Sequence, residues 1–206
     1  MYLQNGGLVI KNTNENDIEI IYDWWNNYGS KNKINRITIT LLVIIDQIIK
    51  LIVKEYYGIK IPIMEDILYF MPTQNTDYSW VNSLFELGLG RVFHIILVEI
   101  VLIFGYYVFK YLQYKIDEHL WINILKIFFM SGAICSLIDK TFWNGSLDYV
   151  LLDGFFIFDL KDCYLYVFTV IISILLLKNW RVMSIIQGKD IIMDYISFLK
   201  DYNKYM

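Results

Sequence analysis

LWINILKIFFMSGAICSLIDKTFWNGSLDYVLLDGFFIFDLKDCYLYVFTVIISILLLKNW, residues 120–180, is the stretch on which the reading of this chain turns. Two apolar runs, 120–138 and 163–180, flank a short segment that carries Asp139, Asp148, Asp153, Asp159 and Asp162. A helix that crosses a bilayer needs about 20 mostly apolar residues, and both runs come close. Two more runs lie upstream: ITITLLVIIDQIIKLIV at 37–53 and VFHIILVEIVLIFGYYVF at 92–109.

Composition agrees with a membrane protein. Of 206 residues, 57% are hydrophobic and only 19% charged, against about a quarter charged in soluble domains. The net charge of −3 gives no footing for nucleic acid. Cys135 and Cys163 are too few for a disulfide framework or a zinc site and read as small buried hydrophobes. The first 36 residues are mostly polar and lack the basic start and apolar core of a signal peptide. Trp24, Trp25 and Tyr28 suit the membrane surface.

The expected fold is therefore an all-α membrane protein with four transmembrane helices and an outer loop region open to some β structure. Residues 1–36 read as a cytoplasmic extension, 37–180 as the membrane domain and 181–206 as a cytoplasmic tail. In that tail Ile191, Ile192, Tyr195, Ile196 and Leu199 have the spacing of an amphipathic helix. With both termini inside, eleven basic residues fall on the inner side (Lys11, Lys31, Lys33, Arg36, Lys110, Lys115, Lys178, Arg181, Lys189, Lys200, Lys204). Five fall outside: Lys54, Lys60, Arg91, Lys140 and Lys161. That bias favours the orientation and puts segments 54–91 and 139–162 together on the outer face.

Ionisable residues at membrane depth mark function by default. Asp46 and Lys50 stand one helical turn apart and can pair, either as a structural ion pair or as a pair that orients a site above it. His94 has no sequence partner for metal or triad chemistry and reads as interfacial. Glu99 is expected to bond a neighbouring helix, and Lys126 to reach the inner interface. No serine or cysteine has a base beside it in the sequence. Asp148 and Asp162 are the leading candidates. Two carboxylates close together in a poorly solvated place share one proton, so one can activate water while the other polarises a carbonyl. Taken alone, an Asp-rich loop is more often a solvated or cation-binding loop.

The order of motifs resembles the bacterial lipoprotein signal peptidases (signal peptidase II), intramembrane aspartic peptidases with four membrane helices. Their D-x-x-x-K matches Asp46-Gln47-Ile48-Ile49-Lys50. Their first outer-loop Asn segment looks like Gln74-Asn75-Thr76-Asp77-Tyr78-Ser79-Trp80. Their G-A-x-G-N-L-I-D-R is similar to Gly132-Ala133-Ile134-Cys135-Ser136-Leu137-Ile138-Asp139-Lys140. Their V-D-F aligns with Leu147-Asp148-Tyr149, and their F-N-x-A-D with Phe158-Asp159-Leu160-Lys161-Asp162.

The resemblance implies a catalytic Asp148–Asp162 dyad. It implies substrate-binding or supporting roles for Asn75, Ser136, Asp139, Lys140, Asp46 and Lys50, and it calls for no cofactor and no metal. The implied partners are membrane lipid and a prolipoprotein cut before its diacylglyceryl-cysteine. The implied place is the bacterial cell membrane, multi-pass, with the site at the outer face and Tyr69, Phe70 and Trp80 covering the substrate. The chain departs from the family pattern at Ser136, Lys140, Asp159 and Lys161. Asp159 adds an acid beside the dyad, which Lys161 or Lys140 would offset. These departures motivate a second reading, a catalytically altered relative that binds lipidated membrane partners without cutting them. A third is a small transporter using Asp46, Lys50 and Glu99 as a relay, which requires them to face a common route.

Overall fold

The computed structural model describes residues 2–4, 7–9, 15–115, 119–178 and 195–198. The chain divides into two units, Met1–Ile37 with Asn179–Met206, and Thr38–Lys178. In the first, β1 (Tyr2–Gln4) and β2 (Gly7–Val9) form an antiparallel pair with Tyr2 opposite Val9. Most of the tail read as an amphipathic helix lies outside the described residues; 195–198 is a helical turn. Helix α1 (Glu15–Val53) starts in the first unit and runs into the second.

The second unit is helical with one small sheet. After α1, β3 (Ile61–Met64) and β4 (Leu68–Asn75) form a hairpin, followed by the single-turn helix α2 (Trp80–Leu84). Helices α3 (Arg91–Lys115) and α4 (His119–Phe142) come next. Strands β5 (Ser146–Leu152) and β6 (Phe156–Phe158) lead into α5 (Leu160–Lys178). The sheet is antiparallel in the order β3-β4-β5-β6. It is built from the two segments that the sequence assigns to the outer face.

Among the described residues, three helices are long and apolar enough to cross a membrane: Arg91–Gln113, Leu120–Phe142 and Leu160–Lys178. The segment 37–53, expected as a further span, is not among them. Asp46 and Lys50 interrupt it, and Arg36 and Lys54 close it at either end. Burial in this unit is inverted relative to a soluble protein. Large apolar side chains such as Ile96, Ile100, Ile103, Phe104, Val170 and Leu177 are exposed. Asp46, Lys50, Ser131 and Asp139 are fully buried. Lipid accepts the first group, while Lys50 and Asp139 of the second find their hydrogen bonds in one another inside the protein.

An apolar core remains between the helices. Phe109, Ile122 and Leu125 are buried, with Phe129, Phe168, Ile171 and Leu175 packed on them. The rings of Phe129 and Phe168 stand 5.2 Å apart. Small residues let the helices approach. A Cβ on Gly132 of α4 would come within 2.7 Å of Leu165 and 3.3 Å of the Lys161 carbonyl on α5. Gly132→Val is therefore expected to destabilise the fold by about 1–3 kcal/mol through overpacking, read as a lower melting temperature in detergent. An unchanged melt would show that the α4–α5 contact tolerates a gap.

Candidate active site

The ends of α4 and α5 and the middle of the sheet bring the acids together. Strand β5 begins at Ser146, just after Gly145, and pairs with β4, placing Asn75 opposite Ser146 and Thr73 opposite Asp148. Gly145 sits at φ +146°, and a Cβ there would collide with the Asn75 carbonyl, so only glycine allows the strands to meet. The register shifts between Phe70 and Thr73, where Pro72 offers no N–H to the ladder. Side chains two apart on a strand share a face, so Ser146 and Asp148 point the same way. Ser146 Oγ lies 2.6 Å from Asp148 Oδ1 and 3.2 Å from Asp139 Oδ2. Asn75 Nδ2 donates to Asp148 Oδ2 at 3.2 Å.

Asp162 is aimed by the start of α5. The Asp162 backbone N–H donates to Asp159 Oδ1 at 3.1 Å, and the Asp159 N–H donates to Asp162 Oδ2 at 3.2 Å. This is a reciprocal capping box with aspartate at both positions. The positive end of the helix dipole favours both carboxylates there. One carboxylate oxygen from each of Asp148, Asp159 and Asp162 lies within 4.8 Å of the others. Asp148 and Asp159 are buried, while the Asp162 side chain keeps 32% of its exposure, which opens the group to solvent on that side.

Two lysines stand among the acids. Lys50 Nζ reaches Asp46 at 3.0 Å, Asp139 at 2.6 Å and Asp159 at 2.8 Å. Lys161 Nζ reaches Asp159 at 2.6 Å, Asp139 and Asp148 at 3.4 Å and Asp162 at 3.8 Å, and donates to Ser146 Oγ at 2.6 Å. Burial pushes the Asp159 carboxyl up, but Lys161 and Lys50 outweigh it and hold it below its ordinary value. Lys161 is committed to Asp159, so Ser146 has no free amine to act as its base.

The remaining expected residues form the support around this core. Lys140 Nζ donates to Ser136 Oγ at 2.8 Å, one turn back on α4; none of the described ion pairs joins it to a carboxylate. Arg91 holds the end of α4 by donating from Nε to the Lys140 carbonyl at 2.8 Å and from its guanidinium to the Thr141 carbonyl. Gln47 Nε2 donates to Asp46 at 3.0 Å, and Trp143 Nε1 donates to Gln47 Oε1 at 3.0 Å.

Several readings from sequence are corrected. His94 is buried and partnered, with Nε2 3.1 Å from Ser79 Oγ and Nδ1 3.0 Å from the Gly90 carbonyl. Ser79 also caps α2, accepting the Asn82 N–H at 3.2 Å. The pair thus ties α2 to the first turn of α3. A ring nitrogen stands beside a serine fifteen residues away, a pairing that sequence spacing does not show. Glu99 is exposed on α3 while Asp46 is fully buried, so they share no route for a relay. Lys126 is buried beside the Tyr106 ring, 5.8 Å from its centroid. Ser146 and Gln47 were missed in the sequence. The period of two joining Ser146 to Asp148 is the signal that points to the serine.

Because Lys50 serves three buried carboxylates, Lys50→Met is expected to destabilise the protein by about 3–5 kcal/mol, read by thermal unfolding in detergent. Pairing that change with Asp46→Leu is expected to recover part of the loss. Equal melts for all three proteins would show that the network contributes nothing to stability.

Comparison with known proteins places this fold. Residues 38–178 match the family described as signal peptidase (SPase) II. Two solved structures, each described as a bacterial membrane enzyme determined by the in meso method, share the fold. The one at 2.3 Å resolution has a TM-score of 0.58 at 22% identity and covers 71% of this chain and 88% of that chain. The one at 1.9 Å has a TM-score of 0.58 at 21% identity, with 71% and 94% covered. No curated protein matches the chain. The family match spans well over half of the sequence and contains every acid of the cluster, so the chain belongs to the signal peptidase II family and is a membrane-embedded protein of that peptidase type.

Proposed function

We propose that this protein is an aspartic endopeptidase that cuts prolipoproteins before a diacylglyceryl-cysteine, with Asp148 and Asp162 as its catalytic pair. The observation that carries the reading is the approach of their carboxylate oxygens to within 4.8 Å beside a solvent-exposed edge. Two acids that close favour a single shared proton. The ionised member takes a proton from water as the oxygen attacks the scissile carbonyl. The protonated member gives its proton to the carbonyl oxygen, leaving a neutral gem-diol. Collapse of that diol returns a proton to the leaving nitrogen and regenerates the shared state. Asn75 supports the step by donating to Asp148, which biases which oxygen is free to act.

The family membership also supports a topology in which 37–53 is a fourth span, both termini are cytoplasmic and the sheet lies at the outer face. A buried ion pair is a tolerable way to carry Asp46 and Lys50 across a membrane. The exposed apolar side chains of α2 and its flank, Val81, Leu84 and Phe85, suit contact with lipid or a lipidated substrate. A second reading, a relative that binds such partners without cutting them, is favoured by one observation: Lys161 stands between the two acids.

Cleavage of a diacylglyceryl-modified prolipoprotein by purified protein separates the two. Wild type is expected to cut. Asp148→Asn and Asp162→Asn are each expected to lose at least about a hundredfold in kcat. Folded wild type that binds the substrate without cutting it would establish the second reading. For topology, Asn144→Cys in intact cells is expected to react with a membrane-impermeant maleimide and Lys115→Cys to be protected; the reverse pattern would invert the orientation.

A further inference from the structure

We propose that Asp159 and Lys161 act as one unit, an internal ion pair that sets the charge of the catalytic acids. In it Lys161 is a positioning residue lodged between Asp148 and Asp162, and Asp159 holds it there. This deepens the peptidase reading and rests on it.

The geometry is specific to this pair. Lys161 Nζ is fixed by two short contacts, 2.6 Å to Asp159 Oδ2 and 2.6 Å to Ser146 Oγ. From that point it spans the dyad, 3.4 Å from Asp148 Oδ1 and 3.8 Å from Asp162 Oδ2. Three carboxylates this close would suit a bound cation. The chain supplies that cation itself, with only 7% of the Lys161 side chain exposed. Asp159 is placed by the capping box, since its Oδ1 is taken by the Asp162 N–H while its Oδ2 faces the ammonium. The pair and the dyad residue Asp162 are thus set by the same helical turn.

The groups facing this pair come from every neighbouring element. Helix α1 presents Asp46 and Lys50, β4 presents Asn75, and α4 presents Asp139. Lys140 also lies on α4 but turns to Ser136. Strand β5 contributes Ser146, Asp148 and Tyr149, and α5 contributes Asp162 and Cys163. Among these, Lys50 is committed to Asp46, Asp139 and Asp159. Lys161 is the cation that touches both members of the dyad.

The signs follow from charge balance. Replacing both Asp159 and Lys161 by neutral residues leaves the net charge of the site unchanged. Removing the cation alone makes the site more negative, so it binds protons more readily; removing the acid alone does the reverse. The Asp159 and Lys161 departures from the F-N-x-A-D pattern are therefore one compensated change.

The test is an infrared titration of the protonated-carboxyl band on full-length protein in detergent. Each protein is differenced against its own Asp148→Asn form to isolate the dyad. In Lys161→Gln the site is expected to take up protons at a pH higher by on the order of one unit. In Asp159→Asn it is expected to do so at a lower pH, and the Asp159→Asn/Lys161→Gln double variant to return toward wild type. Lys161→Arg is expected to track wild type. If the peptidase is active, both limbs of its pH–rate profile move with the band. Superimposed titrations, or shifts of one sign in the two single variants, would overturn the proposal. If Lys161→Gln does not fold, Asp159→Asn and the double variant still decide it. The titration needs no turnover, so failure of wild type to cut substrate sinks the peptidase reading without touching this result.

Discussion

Carboxylates gathered in a poorly solvated place cannot all stay ionised without cations among them, and this constraint organises the whole membrane unit. Asp46, Asp139, Asp148, Asp159 and Asp162 converge where α1, α4, the sheet and α5 meet. Lys50 and Lys161 answer them from two different helices, and both contact Asp139 and Asp159. Such pairs add little over an apolar core but are costly to break on one side. The network therefore acts less as glue than as a specification of which helix faces inward.

The sheet and the helix caps convert that convergence into a defined geometry. The β4–β5 register puts Asn75 and Ser146 opposite one another, and from there both side chains reach Asp148. The capping box at Asp159 aims Asp162 from the first turn of α5. Arg91 closes the end of α4 that carries Asp139. The capping box and Arg91 satisfy backbone groups that would otherwise be orphaned at a helix end.

The rest of the unit is built for lipid. Many of its exposed side chains are large and apolar, while charged residues such as Asp46, Lys50, Asp139 and Asp159 are buried. Little hydrophobic force holds helices together in such surroundings. Close packing at Gly132, the Phe109–Phe129–Phe168 cluster and the ion network carry that task.

Sequence alone determined the membrane class and the approximate positions of α4 and α5, because apolar run length is a local property; the helices extend past the runs 120–138 and 163–180 to Phe142 and back to Leu160. The Asp46–Lys50 contact was legible too, since a four-residue spacing on a helix implies it. Tertiary structure decided the partners. Lys50 turns out to serve Asp139 and Asp159 as well as Asp46, Lys140 turns to Ser136, and Ser146 becomes a hub. His94 finds Ser79, fifteen residues away. The four-stranded sheet was only allowed for by the sequence, since its central pair joins segments more than seventy residues apart. No local pattern encodes which charge meets which across that distance. The fold chooses by bringing helix ends and strand registers to one place, where each buried charge must find a partner or be lost.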